Sequence, residues 1–304
     1  MTTSPPVLEV NGLMRSYGGG KTLFRKEKPV IHAINDVSFQ IAEGETLGLV
    51  GESGSGKSTT GRAVLHLETP DAGSVRFRGQ ELTTLAGKAL KPYRREMQMI
   101  FQDPYSALNP RMKVGRFVAE PMVVHGTESG SALQDRVAEL FRLVGLDPAF
   151  MSRYPHEFSG GQRQRINIAR AIALKPAFIV ADEPITALDV SIQAQIVNLF
   201  QDLQDQLGLA YLFIAHDLSM VRYLCSRVAV MLRGRIVEIA PTEQIFSDPR
   251  HPYTQSLLAA IPVPDPDRRR PPRPPFDVSR NIPPREAQMA EVAPGHFVLD
   301  HPIQ

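Results

Sequence analysis

Three continuous apolar runs punctuate the chain: Thr46-Leu-Gly-Leu-Val50, Phe178-Ile-Val-Ala181 and Ala210-Tyr-Leu-Phe-Ile-Ala215. Runs of this length, bounded by polar or glycine-rich stretches, predict strands buried on both faces. Val7–Val10, Val37–Ile41, Val75–Phe77 and Met97–Phe101 are shorter and rich in β-formers, and predict further strands. A different period appears in Ala132–Val144, where Leu133, Val137, Leu140, Phe141 and Val144 fall on one helical face. Ser58–Leu67, Gly160–Leu174 and Ser191–Leu207 also predict helices. Val228–Leu232 and Arg235–Glu238 flank Arg233-Gly234, a hairpin signal. Strands alternating with helices predict an α/β fold with a largely parallel core sheet. The helical stretch from Val114 to Lys175 reads as an insertion into it.

Composition narrows this picture only a little. The hydrophobic fraction of 42% and charged fraction of 22% are those of an ordinary globular chain. A formal net charge of +2 gives no reason to expect nucleic acid. The one cysteine, Cys225, excludes an intrachain disulfide and an all-cysteine metal site, and fits a reducing compartment. Met1-Thr-Thr-Ser-Pro-Pro lacks a charged segment followed by an apolar one, so no secretory signal is expected. No run of about 18 apolar residues is present, so any membrane spans must come from other chains. Prolines and arginines crowd the chain from Pro262 onward. That tail is expected to be extended, wrapping or mobile, without regular elements for long. The expected division is 7–260 for the main domain, with helices at about 103–175, and 261–304 for the tail.

The chemistry begins where the first apolar run ends. Gly51-Glu52-Ser53-Gly54-Ser55-Gly56-Lys57-Ser58 matches the pattern G-x-x-x-x-G-K-[ST]. Glycines let the backbone wrap closely, so that successive N–H groups point at a polyphosphate. The following helix adds the partial positive charge of its N-terminus. Lys57 would reach the β- and γ-phosphates, the Ser58 hydroxyl would ligate Mg²⁺, and Thr59 follows as a further nucleotide contact. The bland alternative is a flexible Gly/Ser turn; against it stand an apolar strand before the loop and a helix after it. The loop alone would suit kinases and GTPases equally.

A second apolar run ends in Asp182-Glu183. Ligands of open α/β sheets bind at the carboxyl ends of the strands. Asp182 can hold Mg²⁺ there, directly or through water, and Glu183 can take a proton from an attacking water. The alternative is a merely solvated strand end.

A third motif gives these two a common meaning. Phe158-Ser159-Gly160-Gly161-Gln162-Arg163-Gln164-Arg165 resembles the signature of the ATP-binding-cassette ATPases, usually Leu-Ser-Gly-Gly-Gln, with Phe158 departing in the first position. Physically it reads as a second anion cradle, small residues opening a helix whose N-terminus is free for phosphate. The resemblance extends across nearly the whole chain. It implies a phosphate-loop NTPase (RecA-like) core with an antiparallel β part and an inserted helical subdomain. It implies that Gln102 reaches Mg²⁺ and the attacking water, and that Ala187-Leu-Asp189 crosses between paired subunits. His216, followed by Asp217, matches the histidine that contacts the γ-phosphate. Tyr17 is the candidate for stacking on adenine, with Phe24 competing, because Gly18–Lys28 looks inserted relative to shorter family members. The implied mechanism pairs two subunits head to tail, ATP on the loop of one being covered by the Ser159–Gln162 cradle of the other. An isolated chain is then expected to bind ATP but hydrolyse it poorly.

His251-Pro-Tyr-Thr-Gln-Ser-Leu-Leu-Ala-Ala-Ile-Pro-Val-Pro-Asp-Pro266 and Gln102-Asp-Pro-Tyr-Ser-Ala-Leu-Asn-Pro-Arg111 resemble ATPases of oligopeptide and dipeptide importers. Within that group the similarity is to the second of two non-identical ATPases, which implies a heterodimer. It also implies two transmembrane permeases, an extracytoplasmic solute-binding protein reached indirectly, and a peripheral seat on the cytoplasmic face of the cell membrane. Relatives carry nickel complexes, glutathione or opines as well as peptides. A cassette ATPase working on nucleic acid or the ribosome is a separate reading; such chains usually hold two cassettes or a special insertion, and here one loop and one signature occur. A non-hydrolysing sensor is disfavoured by Glu183 and His216. Some relatives carry a cysteine cluster in the tail; Ala293–His301 holds no cysteine, so no iron–sulfur site is expected.

Overall fold

The computed structural model describes residues 6–18, 30–103, 107–186, 188–216, 218–261, 276–278, 280–284 and 286–301. The strands are β1 (Pro6–Tyr17), β2 (Ile31–Ala42), β3 (Thr46–Val50), β4 (Ala72–Phe77), β5 (Gln80–Glu81), β6 (Met97–Ile100), β7 (Phe178–Asp182), β8 (Ala210–Ala215), β9 (Arg227–Leu232), β10 (Arg235–Pro241), β11 (Gln288–Ala293) and β12 (His296–Asp300). The helices are α1 (Lys57–Val64), α2 (Lys91–Glu96), α3 (Val114–His125), α4 (Gly130–Leu143), α5 (Gly160–Ala171), α6 (Val190–Leu207), α7 (Leu218–Leu224), α8 (Thr242–Ser247) and α9 (Pro252–Ala259). No helix among the described residues is long and apolar enough to cross a membrane.

The chain divides into two compact units. One holds Ala42–Glu45 and Leu85–Leu212, the other Leu8–Ile41, Thr46–Thr84 and the residues from Phe213 on. In the first, strands run in the order β8-β7-β6, β8 contributing its first half. β6 and β7 are parallel, with Met97 opposite Phe178 and Ile100 opposite Ala181. All of β7 is buried, as its unbroken apolar run requires. Helices α3, α4 and α5 pack on one another in this unit. On α4 the predicted apolar face is the buried one, with Val137, Leu140 and Phe141 turned inward.

In the second unit the strand order is β11-β12-β10-β9-β3, and a separate four-stranded sheet runs β2-β1-β4-β5. β3 and β9 are parallel, Leu47 lying opposite Arg227 and Val50 opposite Val230. β9 and β10 are antiparallel, joined at Arg233 (φ 47°) and Gly234 (φ 86°). Two successive positive φ values are what a two-residue hairpin turn needs to match strand twist. One expectation changes here. The tail is not without regular structure, because β11 and β12 form an antiparallel hairpin that pairs with β10. Its β11 strand is almost wholly exposed, so no apolar alternation announces it.

Candidate functional site

The phosphate loop leaves β3, every residue of which is buried, and enters α1 at Lys57. Two of its glycines are fixed by close backbone approach. A Cβ on Gly51 would lie 2.2 Å from the Met231 carbonyl oxygen, and one on Gly56 (φ 107°) 2.0 Å from that of Ala33. The Gly234 N–H donates to the Ser55 carbonyl at 2.9 Å, tying the loop to the β9–β10 turn. Lys57 folds back over its own loop, its ammonium donating to the carbonyls of Gly51 (2.8 Å) and Glu52 (2.9 Å). From the other side, the Glu52 N–H donates to the Tyr253 hydroxyl at 3.0 Å. Glu52, Ser53 and Gly54 are exposed, whereas Ser55 and Lys57 are buried. The Ser55 hydroxyl is buried without a hydrogen-bond partner, an orphan that an added acceptor would satisfy. Fixed N–H groups, a tethered ammonium and a spare hydroxyl fit a phosphate-bearing ligand.

In the other unit, the parallel register of β6 and β7 brings two predicted residues together. Ile100 lies opposite Ala181. Two residues further along the chain from each, past the strand ends, the Gln102 amide donates to Glu183 Oε2 at 2.9 Å. Thr186 Oγ1 donates to the same oxygen at 3.3 Å, a contact that sequence reasoning missed. A hydroxyl three residues after a strand-end carboxylate was the available signal. Glu183 sits at φ 45°, a region non-glycine residues avoid. That backbone strain, of order 1–3 kcal/mol, is the kind that clusters at functional positions. Asp182, one residue earlier, is buried at the end of β7. In its own unit each candidate offers a hard oxygen of the kind Mg²⁺ takes: Ser58 a hydroxyl beside the phosphate loop, Gln102 an amide and Asp182 a carboxylate at the strand ends.

Ser159 is the N-cap of α5, and here the structure corrects an expectation. The helix start is free only in part: Ser159 Oγ accepts from the Gln162 N–H (3.4 Å), and Gln162 Oε1 accepts from the Ser159 N–H (3.0 Å). This capping box takes the Gln162 N–H and the Ser159 N–H, and the N–H groups of Gly160 and Gly161 lie outside it. Gly160 opens α5, and Gly161 is required by packing, since a Cβ there would lie 2.6 Å from Ile192 Cγ2 on α6. Phe158, the departure from the usual signature, is buried edge-on against Phe150, ring centroids 6.0 Å apart.

His216 follows β8 in the unit that carries the phosphate loop, and is exposed. Tyr17 closes β1 in the same unit. Its hydroxyl donates to the Glu68 carboxylate, and the Arg15 guanidinium lies 5.1 Å from its ring centroid. Burial, and then that bond to Glu68, raise the phenol above its ordinary range. In the Leu188-Asp189 loop, the Gln193 side chain donates to the carbonyls of Ile185 (3.2 Å) and Leu188 (3.0 Å). Phe24, Ala187, Asp217 and the Pro104-Tyr105-Ser106 stretch lie outside the described residues.

A buried strand, a glycine loop closed by lysine and a helix, together with a strand-end carboxylate held by glutamine, define a nucleotide-binding cassette. The chain belongs to the ABC transporter family, which matches residues 34–186, and residues 237–284 match the oligopeptide/dipeptide transporter C-terminal region. The dipeptide transport ATP-binding protein DppF of Lactococcus lactis is 52% identical over 98% of this chain and 95% of its own length. The glutathione import ATP-binding protein GsiA of Salmonella typhi is 50% identical over 98% of this chain, which spans only 49% of that relative. Among solved structures, the dimeric ATP-binding cassette MJ0796 bound to ADP and Pi matches 77% of this chain and 98% of its own, at 28% identity and a TM-score of 0.68.

Proposed function

We propose that this chain is the ATP-hydrolysing subunit of an importer of dipeptides or oligopeptides. The similarity to DppF over 95% of that protein, with the matched C-terminal region, carries this reading. Residues 7–260 act as the ATPase, about 103–175 as its helical part, and 261–304 as an extension of the peptide-transporter type. The chain works at the cytoplasmic face of the membrane with two permeases, a second and non-identical ATPase, and indirectly a solute-binding protein. The 50% identity to GsiA favours glutathione, itself a small peptide, as the alternative cargo.

The nucleotide is held by the backbone of Gly51–Ser58, by Lys57 and by Thr59, with Tyr17 on the adenine. Bound Mg²⁺ supplies charge neutralisation on the phosphates, and Ser58, Gln102 and Asp182 are the residues that would hold it. Glu183 accepts a proton from water as its oxygen bonds to the γ-phosphorus, and the bond from that phosphorus to the β–γ bridging oxygen breaks. Gln102 orients the water, and His216 contacts the γ-phosphate. The Ser159–Gln162 segment, with Gly160 and Gly161, covers the nucleotide of the second ATPase, so the paired state excludes water that the isolated chain admits.

Co-expression with two permeases and a second ATPase of a peptide importer, followed by purification through a tag on this chain, tests the assembly. The expected result is a complex whose ATP hydrolysis rises on addition of peptide-loaded binding protein. Stimulation by glutathione alone would transfer the assignment to the alternative cargo. Purification of the chain with ribosomes or nucleic acid and no permease would refute the reading.

A further inference from the structure

One side chain just ahead of the C-terminal extension reaches the phosphate loop. Tyr253 lies on α9, is fully buried, and accepts the Glu52 N–H at 3.0 Å. Lys57 takes the carbonyl of the same residue at 2.9 Å. Glu52 is therefore gripped from both sides, by its N–H and by its C=O. A cavity of about 220 Å³ borders Glu52, Ser53, Gly54, Tyr253 and Val278.

Tyr253 is itself held by the extension. Phe276 packs on its ring, centroids 5.5 Å apart. The start of α9 is fixed by Glu238, a fully buried carboxylate on β10 that accepts the N–H groups of Arg250 (2.7 Å) and His251 (3.0 Å). His296, from β12, bonds the same carboxylate at 2.7 Å. His251 Nδ1 accepts the Tyr253 N–H at 3.1 Å, which places the ring proton on Nε2, facing His301 Nε2 at 3.0 Å. The hairpin β11–β12 thus sets Glu238 and His251, these set α9, and α9 sets the tyrosine hydroxyl. Burial pushes the phenol up to about 12, so the hydroxyl stays neutral and available.

We propose that Tyr253 is a positioning residue of the phosphate loop, and that the C-terminal extension tunes affinity for ATP by holding the Glu52 peptide through it. This rests on the reading that the loop binds ATP. Without the hydroxyl, the Glu52 N–H loses its partner, the loop samples other shapes, and Lys57 loses part of its fixed aim. The nucleotide must then select the competent shape, and its apparent affinity falls by the competent fraction.

The test is calorimetric titration of the full chain with Mg-ATP, with thermal melting of the nucleotide-free protein in parallel. Tyr253→Phe keeps the ring and its packing. Its Kd for ATP is expected to rise about tenfold, the size of one lost hydrogen bond to a backbone N–H. Phe276→Ala, which frees the ring without removing the hydroxyl, is expected to raise Kd about threefold, and it carries the test should Tyr253→Phe not fold. An unchanged Kd beside a lowered melting temperature would overturn the proposal, leaving Tyr253 as a core residue only. Failure of the wild-type chain to bind ATP would instead remove the functional reading itself.

Discussion

The loop Gly51–Ser58 and the strand end Asp182–Glu183 both leave a fully buried strand and must hold polar groups still, yet they are fixed by opposite means. The loop is fixed mostly by main chain: glycines pressed on the carbonyls of Met231 and Ala33, and a carbonyl of its own tied to Gly234, with the Lys57 ammonium and Tyr253 hydroxyl bonding its peptide groups. Glu183 is fixed by side chains, one oxygen taking hydrogen bonds from Gln102 and Thr186 over a left-handed backbone. A site built mostly from backbone fails first on added volume. A site built from side chains fails group by group. The first arrangement suits binding, where many N–H groups share the load, and the second suits a single proton transfer, where one oxygen matters.

Removing the proton-accepting carboxylate should give the largest effect. Glu183→Gln keeps size and hydrogen bonding but not basicity, so kcat for ATP should fall roughly 10²–10⁴-fold with ATP affinity retained. Turnover at the wild-type rate in the assembled complex would mean that proton transfer lies elsewhere. Gly56→Ala comes next. Its methyl would meet a backbone carbonyl at 2.0 Å, and main chain cannot swing aside as a flexible side chain can. Destabilisation of about 2–3 kcal/mol is expected, measured by denaturant unfolding, together with loss of ATP binding. Binding and stability both retained would show that the loop is less tightly seated than its contacts require.

Gln102→Ala should cost less than either, roughly tenfold in kcat, because it removes one hydrogen bond to a charged group while Thr186 still holds the oxygen. A rise in KM equal to the fall in kcat/KM, with kcat unchanged, would recast Gln102 as a binding residue.

How these two regions could be read from sequence differs as their construction does. The loop was legible residue by residue, since its glycines, Lys57 and Ser58 are contiguous and follow a strand whose bounds, Thr46–Val50, the apolar run gave directly. The pairing of Gln102 with Glu183 was not derivable from local pattern. Those residues are 81 positions apart and meet only because β6 and β7 pair in one parallel register. Resemblance supplied the glutamine, but not the bond it makes. The capping box at Ser159–Gln162 was legible as Ser-x-x-Gln, a cap that the cradle reading left unmentioned. The helix Pro252–Ala259 has Pro at its first position, a recognisable start, but histidine is an unusual cap and hid it. Tyr253 was legible only as part of the His251-Pro-Tyr resemblance and not as a loop contact, since that contact lies 201 residues away.

The smallest expected effect is the sharpest probe of the side-chain construction. Thr186 Oγ1 reaches Glu183 Oε2 at 3.3 Å, a long bond beside the 2.9 Å bond from Gln102. Thr186→Ala should lower kcat about two- to fivefold, in keeping with the weak end of the range for one hydrogen bond. Thr186→Ser, which keeps the hydroxyl, should restore most of that loss. Both donors act on one oxygen, so their effects should not add. In a double-mutant cycle with Gln102→Ala, the coupling energy should reach about 0.5–1 kcal/mol. Strict additivity would mean that the two donors do not share the task of holding Glu183, and that its left-handed backbone alone sets the carboxylate.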